Sequence, residues 1–211
     1  MCIRDRCAID LAREPVDLLS LSGHKLGALT GVGALVVRDT VALAPRMLGG
    51  AHERERRAGT ENVPGIVSFG VAARLAGSER AAWARAARLV RERLWAALER
   101  AAAPVVRHGA NDGLPNTLAV SFPGTRGDAL VIALDLQGVA ASTGPACAAG
   151  AAEPSHVLRA LGCDDATAAA AVRLSFGSDF TLDDAERAAA VIAACVGAAR
   201  TARAARVGHA A

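Results

Sequence analysis

Four stretches of this chain hold residues whose types and spacing could do chemistry. In the first, Ser20-Leu-Ser22-Gly23-His24-Lys25, a lysine follows a serine, a glycine and a histidine. An amine that condenses with an aldehyde must be neutral, and a pocket with little water and nearby positive charge favours that state. Ser and His side chains can donate hydrogen bonds to a phosphate, and glycine lets the backbone come close. Taken alone the run is weak, because a lone lysine after a histidine is more often a surface lysine. The second stretch, GGAHERERRAGTEN from Gly49 to Asn62, joins flexible glycines and basic side chains to Thr60 beside Gly59. That set suits phosphate or carboxylate binding. By composition alone, an exposed charged loop is an equally good reading.

The third stretch, STGPACAAG from Ser142 to Gly150, sets Cys147 among small residues in a loop. A thiolate there is sterically accessible and could be a nucleophile or a sulfur carrier. A buried structural thiol is the commoner fate of an intracellular cysteine, and it suits Cys195, which sits in an apolar helical run. The fourth is Arg173 in VRLSFG, an arginine on an otherwise apolar strand. It needs an anion, either a protein carboxylate in a structural ion pair or a substrate carboxylate held bidentately.

Period and punctuation give the elements that must position these residues. Residues 17–22 read as a short strand entering the Gly-His-Lys turn, and residues 31–37 as a second strand. Residues 46–62 have little apolar period and read as a loop, long enough to be functional. Pro64 opens a helix that continues, with a break near Gly77 and Ser78, to about Ala103. That break divides the chain into segments 1–77 and 78–211.

Beyond it, strands are expected at 104–107 and 116–122, a helix at 127–137 ended by Gly138, and a strand at 139–142 before the cysteine loop. A short helix at 153–161 and a strand at 172–176 follow. Thr181 and Asp184 then open a final helix with the spacing of a capping box. Alternating helix and strand argues for an α/β or α+β layer structure with helices covering a sheet. Residues 1–7 (MCIRDRC) fit neither pattern and read as non-native sequence.

Composition narrows the function classes. With 211 residues, 52% of them hydrophobic and 21% charged, the chain suits a packed globular protein. Aromatics are 3% and tyrosine is absent, so Ala, Val and Leu must fill the core. The net charge is +3, but Arg80, Arg85, Arg88, Arg91 and Arg93 alternate with Glu79 and Glu92. That is a solvated helix face, and no direct nucleic-acid partner is expected. Five cysteines without paired spacing and without a secretory leader point to reduced thiols and a cytoplasmic protein. The longest apolar run, 188–199, is closed by Arg187 and Arg200 and reads as a buried helix, so no membrane partner is expected. Cys2 and Cys7 have no histidine nearby, and no metal site is expected. The run GALTGVGALVV lacks the third glycine of a dinucleotide fingerprint.

In chain order, SLSGHK, GVGALVVR, GG-x-HER-x-x-R-x-GTEN, STG-x-AC, EPSHVLRALG and VRLSFG resemble the cysteine desulfurases, class-V aminotransferase-like enzymes that use pyridoxal 5′-phosphate (PLP). The resemblance runs from about Ala8 to the end of the final helix. It implies that Lys25 is the Schiff-base lysine, with Ser22, Gly23 and His24 at the cofactor phosphate. Thr60 would contact the phosphate in the partner subunit of a homodimer. Cys147 would take the sulfur of L-cysteine as a persulfide, Arg173 would hold the substrate carboxylate, and a sulfur acceptor or iron–sulfur scaffold protein would receive the sulfur.

The fold it implies is α/β: part of an aspartate-aminotransferase-like PLP-transferase large domain (1–77) plus a C-terminal α/β small domain (78–211). The family is about twice as long, so the chain reads as its C-terminal half, without the residues that stack on and pair with the cofactor ring. Weak or no catalysis by this chain alone is expected. A parallel sheet missing strands would expose apolar edges, and the part from Ser78 on should hold its fold better. Glu55 stands where the family usually has glycine, and Pro145 and the alanines after Cys147 stand for serines. The alternatives are a selenocysteine lyase or aminotransferase of the same superfamily, from which Cys147 discriminates, and a non-catalytic fragment that binds a scaffold protein.

Overall fold

The computed structural model describes residues 9–144 and 154–208. The chain divides into two compact units, Met1–Ala82 and Trp83–Ala211. In the first, strands β1 (Leu18–Ser22) and β2 (Gly33–Val37) pair antiparallel, with Leu21 opposite Ala34. A Cβ on Gly33 would lie 2.5 Å from the Leu21 carbonyl oxygen, so only glycine allows this approach. Between the strands, Gly23–Leu26 form one 3-10 turn, stopped by Gly27 at φ 90°.

Helix α1 (Val63–Ala101) begins at Asn62, whose side-chain oxygen accepts from the Gly65 amide at 3.1 Å. The break expected at Gly77 and Ser78 is absent. Ser78 Oγ donates back to the Leu75 carbonyl at 3.1 Å, which removes its competition with the helix backbone. Neighbouring alanines supply helix propensity. The division between units therefore falls inside α1, at Ala82–Trp83.

The second unit holds strands β3 (Val106–His108), β4 (Thr117–Ser121) and β5 (Ala171–Ser175) in that spatial order. Every strand pair among the described residues is antiparallel. This corrects the parallel sheet expected from the resemblance. Helices α2 (Gly127–Asp135), α3 (His156–Ala160), α4 (Asp165–Ala169) and α5 (Leu182–Gly208) complete the unit.

Leu118 and Val120 of β4 and Val172 and Leu174 of β5 alternate onto one sheet face. There they meet Leu94 and Leu98 of α1, Leu130 and Leu134 of α2, and Ala185, Ala189, Ile192 and Val196 of α5. The i, i+4, i+7 spacing on α5 makes that contact. Each buried Leu, Ile or Val contributes about 1.5–3 kcal/mol. The other face carries a smaller cluster of Leu158, Ala168 and Ala171, with Cys163 against it.

The capping box forms: Asp184 Oδ2 accepts from the Thr181 amide at 2.8 Å, and Thr181 Oγ1 accepts from the Asp184 amide at 3.1 Å. The strand expected at 139–142 reduces to a single bridge between Ser142 and Arg173. By length and composition alone, Leu182–Ala205 could cross a membrane, a longer stretch than the run read from sequence. In the structure its Ala185–Val196 stripe packs into the core instead.

Candidate functional site

The Lys25 turn is built by hydrogen bonds across its neck. Gly23 donates to the Val32 carbonyl at 2.9 Å, and Ala28 donates to the Gly23 carbonyl at 3.1 Å. A Cβ on Gly23 would meet Val32 Cγ1 at 2.7 Å. Glycine at position 23 thus permits the close approach of Val32. Ser68 Oγ of α1 accepts from the Leu29 amide at 2.9 Å and ties the end of the turn to that helix. Ser22 is half-buried, while His24 and Lys25 are exposed. Four of the expected residues, Ser22, Gly23, His24 and Lys25, are therefore gathered at one end of a hairpin, with the amine reachable from solvent.

Thr60 is exposed in the long loop of the same unit. That loop is organised rather than featureless. His52 and Arg57 form an isolated bridge, and His52 Nδ1 lies 2.8 Å from Glu61 Oε1. Glu61's own backbone amide, and next the His52 ring, hold its carboxyl below the usual range. Arg57 Nη1 donates to the carbonyls of Ala58 at 3.2 Å, Gly59, and Thr60 at 3.4 Å. Arg57 is used inward, fixing the backbone around Thr60. Glu53, Arg54 and Glu55 all take left-handed backbone angles, with φ of 50°, 57° and 63°. Glu55, where the resembled family usually has glycine, thus sits where an L side chain costs energy.

Arg173 belongs to the second unit. It lies in β5 opposite Ala119, and on its free side it exchanges backbone hydrogen bonds with Ser142, at 2.6 and 3.2 Å. Its Nε is buried and has no hydrogen-bond partner among the described residues. A buried guanidinium donor left unpaired is costly unless an anion completes it. Of the two options left by sequence, the structural ion pair is not seen: no carboxylate pairs with Arg173 among the described residues. Ser142 Oγ donates to the Gly144 carbonyl at 3.0 Å, so the chain leaving Arg173's neighbour is held at its start. Cys147 lies outside the described residues, as do residues 1–8.

The family model for class-V aminotransferases matches residues 5–188. The chain belongs to that family. Within the family its relatives are cysteine desulfurases. It is 45% identical over 180 residues to a cysteine desulfurase of Gluconacetobacter diazotrophicus, covering 85% of this chain and 45% of the relative. It is 40% identical over 184 residues to the cysteine desulfurase IscS of Methanosarcina thermophila, covering 87% and 46%. A solved NifS-like protein superposes with a TM-score of 0.80 at 31% identity, covering 92% of this chain and 50% of that one. The α/β fold is accordingly a partial PLP-transferase fold. The chain spans about half the length of the curated relatives it matches. The match begins at residue 5, within the segment that reads as non-native.

Members of this family are PLP enzymes, and the residues here fit part of such a site: an exposed amine at a hairpin end beside a half-buried hydroxyl and an imidazole. Among the described residues no group of three or more His, Cys, Asp or Glu could hold a metal ion. Sequence reasoning passed over one arrangement. His108 and Cys163, 55 residues apart, come within 3.5 Å. Only the sheet register and the α3–α4 turn bring them together, so no local motif could have shown it.

Proposed function

We propose that this chain carries the lysine, the carboxylate-binding arginine and the sulfur-accepting thiol of a cytoplasmic, PLP-dependent cysteine desulfurase. The observation that carries the reading is the buried Nε of Arg173, unpartnered among the described residues, on the strand beside which the Cys147 loop starts. Kinship with named cysteine desulfurases supports it. PLP, when bound, supplies an electron sink for deprotonation at the substrate Cα.

The chain's own residues do the rest. Lys25 binds the cofactor aldehyde and moves the Cα proton, with Ser22, Gly23 and His24 at the phosphate. Arg173 orients L-cysteine through its carboxylate. Cys147 attacks the substrate sulfur: an S–S bond forms, the substrate C–S bond breaks, and alanine leaves behind an enzyme persulfide. A sulfur acceptor or an iron–sulfur scaffold protein takes the persulfide sulfur. Lys25 and Thr60 are exposed, so the water exclusion this chemistry needs comes from a second surface, in this reading the partner subunit of a homodimer, which Thr60 faces.

Adding PLP to the chain and recording visible absorbance tests the reading. A band from lysine-bound PLP is expected, and it should vanish in Lys25→Ala. A band that persists in Lys25→Ala sinks the assignment of that lysine. With L-cysteine added, a sulfur mass increment on Cys147 that Arg173→Gln abolishes would extend the support to the thiol.

A further inference from the structure

The sheet face opposite the main core brings a cysteine against a histidine. His108, Ala119 and Arg173 are directly paired across β3, β4 and β5, so their side chains share one face. Ser121, two residues along β4 from Ala119, lies on that face as well. Ser121 is buried, and its hydroxyl proton goes to the Thr167 carbonyl at 2.7 Å. Toward His108 Nε2, at 2.6 Å, Ser121 Oγ can then only accept. Hydrogen-bond bookkeeping thereby puts the ring proton on Nε2 and leaves the Nδ1 lone pair facing Cys163 Sγ at 3.5 Å. Burial lowers the His108 pKa, so the ring is neutral near neutral pH and its Nδ1 lone pair is free to accept the Cys163 thiol proton as a hydrogen bond.

We infer that Cys163 is a base-assisted nucleophilic thiol, with His108 as its proton acceptor and Ser121 fixing the tautomer, and that it takes the electrophilic sulfur of small disulfides. A nucleophile, a base within hydrogen-bond reach and a third group orienting that base are the parts such activation requires. In the step, the thiol proton passes to Nδ1 and Sγ bonds to one sulfur of the disulfide. The disulfide S–S bond breaks and the other half leaves as a thiol. Cys163 is oxidised to a mixed disulfide and the small disulfide is reduced, so no further reagent is needed.

The carboxylates on either side of the α3–α4 turn, and Arg107, are engaged elsewhere. Asp164 accepts from the Thr167 amide and hydroxyl, and Asp165 pairs with Arg159 Nε at 2.6 Å. Arg107, next to His108 in β3, turns to the opposite face and binds Glu92. Cys195 makes the internal control. It is also half-buried, but among the described residues its sulfur hydrogen-bonds the Ala133 carbonyl, at 3.9 Å, which is no base.

The test incubates the whole chain with dithiodipyridine at neutral pH and follows mixed-disulfide formation at the Cys163 and Cys195 peptides by mass spectrometry. Cys163 should react faster than Cys195. His108→Gln should slow Cys163 about tenfold and leave Cys195 unchanged. Ser121→Ala, which frees the tautomer, should slow Cys163 severalfold. A purely packing role for His108 gives the opposite sign, because loosening exposes the thiol and speeds it. An unchanged or raised Cys163 rate in His108→Gln overturns the inference. If Cys195 also speeds up in that variant, the fold has opened, and the Ser121→Ala rate decides by the same criterion.

Discussion

Replacing Glu92 by glutamine removes the anion that two arginines share at the joint between α1 and β3. Arg107 Nη1 and Nη2 bind the two carboxylate oxygens at 2.8 and 2.9 Å, and Arg91 Nε reaches the same group at 2.9 Å. Arg107 also lies 5.6 Å over the Trp95 ring, while Arg91, only 2% exposed, grips the carbonyls of Asn111, Gly113 and Leu114. One carboxylate thus fixes the strand that carries His108 and the loop that follows it.

The Arg107 hydrogen bonds, against the cost of burial and with help from Arg91, pull the Glu92 pKa from 4.5 to about 2. A tenfold change in proton affinity is about 1.4 kcal/mol, which would make this depression worth about 3 kcal/mol without screening. The Glu92 side chain is 45% exposed, so solvent screening reduces that to about 1 kcal/mol. Arg91 keeps its three carbonyls in the variant, so no large penalty for a bare buried charge adds to it.

The folded-state pKa is depressed. The stabilisation is therefore present above 4.5 and lost as the pH falls from there toward about 2. Urea unfolding followed by tryptophan fluorescence should show Glu92→Gln less stable by about 1 kcal/mol at neutral pH, with the two proteins converging near about pH 2–3. A penalty of equal size at both pH values would refute the reasoning, since the loss would then owe nothing to the carboxylate charge.

Glu55→Gly should relieve left-handed strain worth about 0.5–1 kcal/mol, partly offset by a looser unfolded chain. Slower amide exchange in the 46–62 loop would show it, and faster exchange would count against the strained geometry. Leu134→Ala, at a fully buried position, should cost about 2–5 kcal/mol in thermal unfolding, while Leu48→Ala, at a position 84% exposed in the single chain, should stay within about 0.5 kcal/mol in solution dilute enough to keep copies apart.

What was legible in the sequence was whatever short-range pattern dictates. Residues 116–122 alternate, and β4 follows; Thr181 and Asp184 stand three apart, and the capping box forms. Gly77 and Ser78 look like a break because their intrinsic preferences oppose helix, yet the alanine-rich flanks and one hydroxyl-to-carbonyl bond carry α1 through. The DATAA segment of α4 is too short to show a period, and it exists because Asp164 caps it. Residues 139–142 carry strand-like composition but pair at one point only, since β5 offers them a single register contact at Arg173. The Lys25 turn was readable because its residues are consecutive. The unpaired Arg173 Nε was half readable, as a charge in an apolar strand. The His108–Cys163 contact was not readable, because it depends on which residues of three strands share a row.

The two units differ in how they handle apolar surface, and the difference bears on the proposed chemistry. In the second unit the sheet and three helices enclose Phe122, Leu98, Leu134 and Val196 almost completely. In the first unit, Leu29, Leu35, Met47 and Leu48 are exposed, and Val63, Val67, Val71 and Leu75 expose a stripe at four-residue spacing along α1. Exposed apolar groups in that number suit burial against a further surface. Lys25 and Thr60 lie in the same unit and are exposed as well. Covering the unit with one further surface would bury the aliphatic groups and dry the amine together, so in the proposed reading oligomerisation and cofactor chemistry have a common physical cause. Leu48→Ala then separates the cases: if its cost exceeds about 0.5 kcal/mol and grows with protein concentration, that surface is buried in solution between copies of the chain.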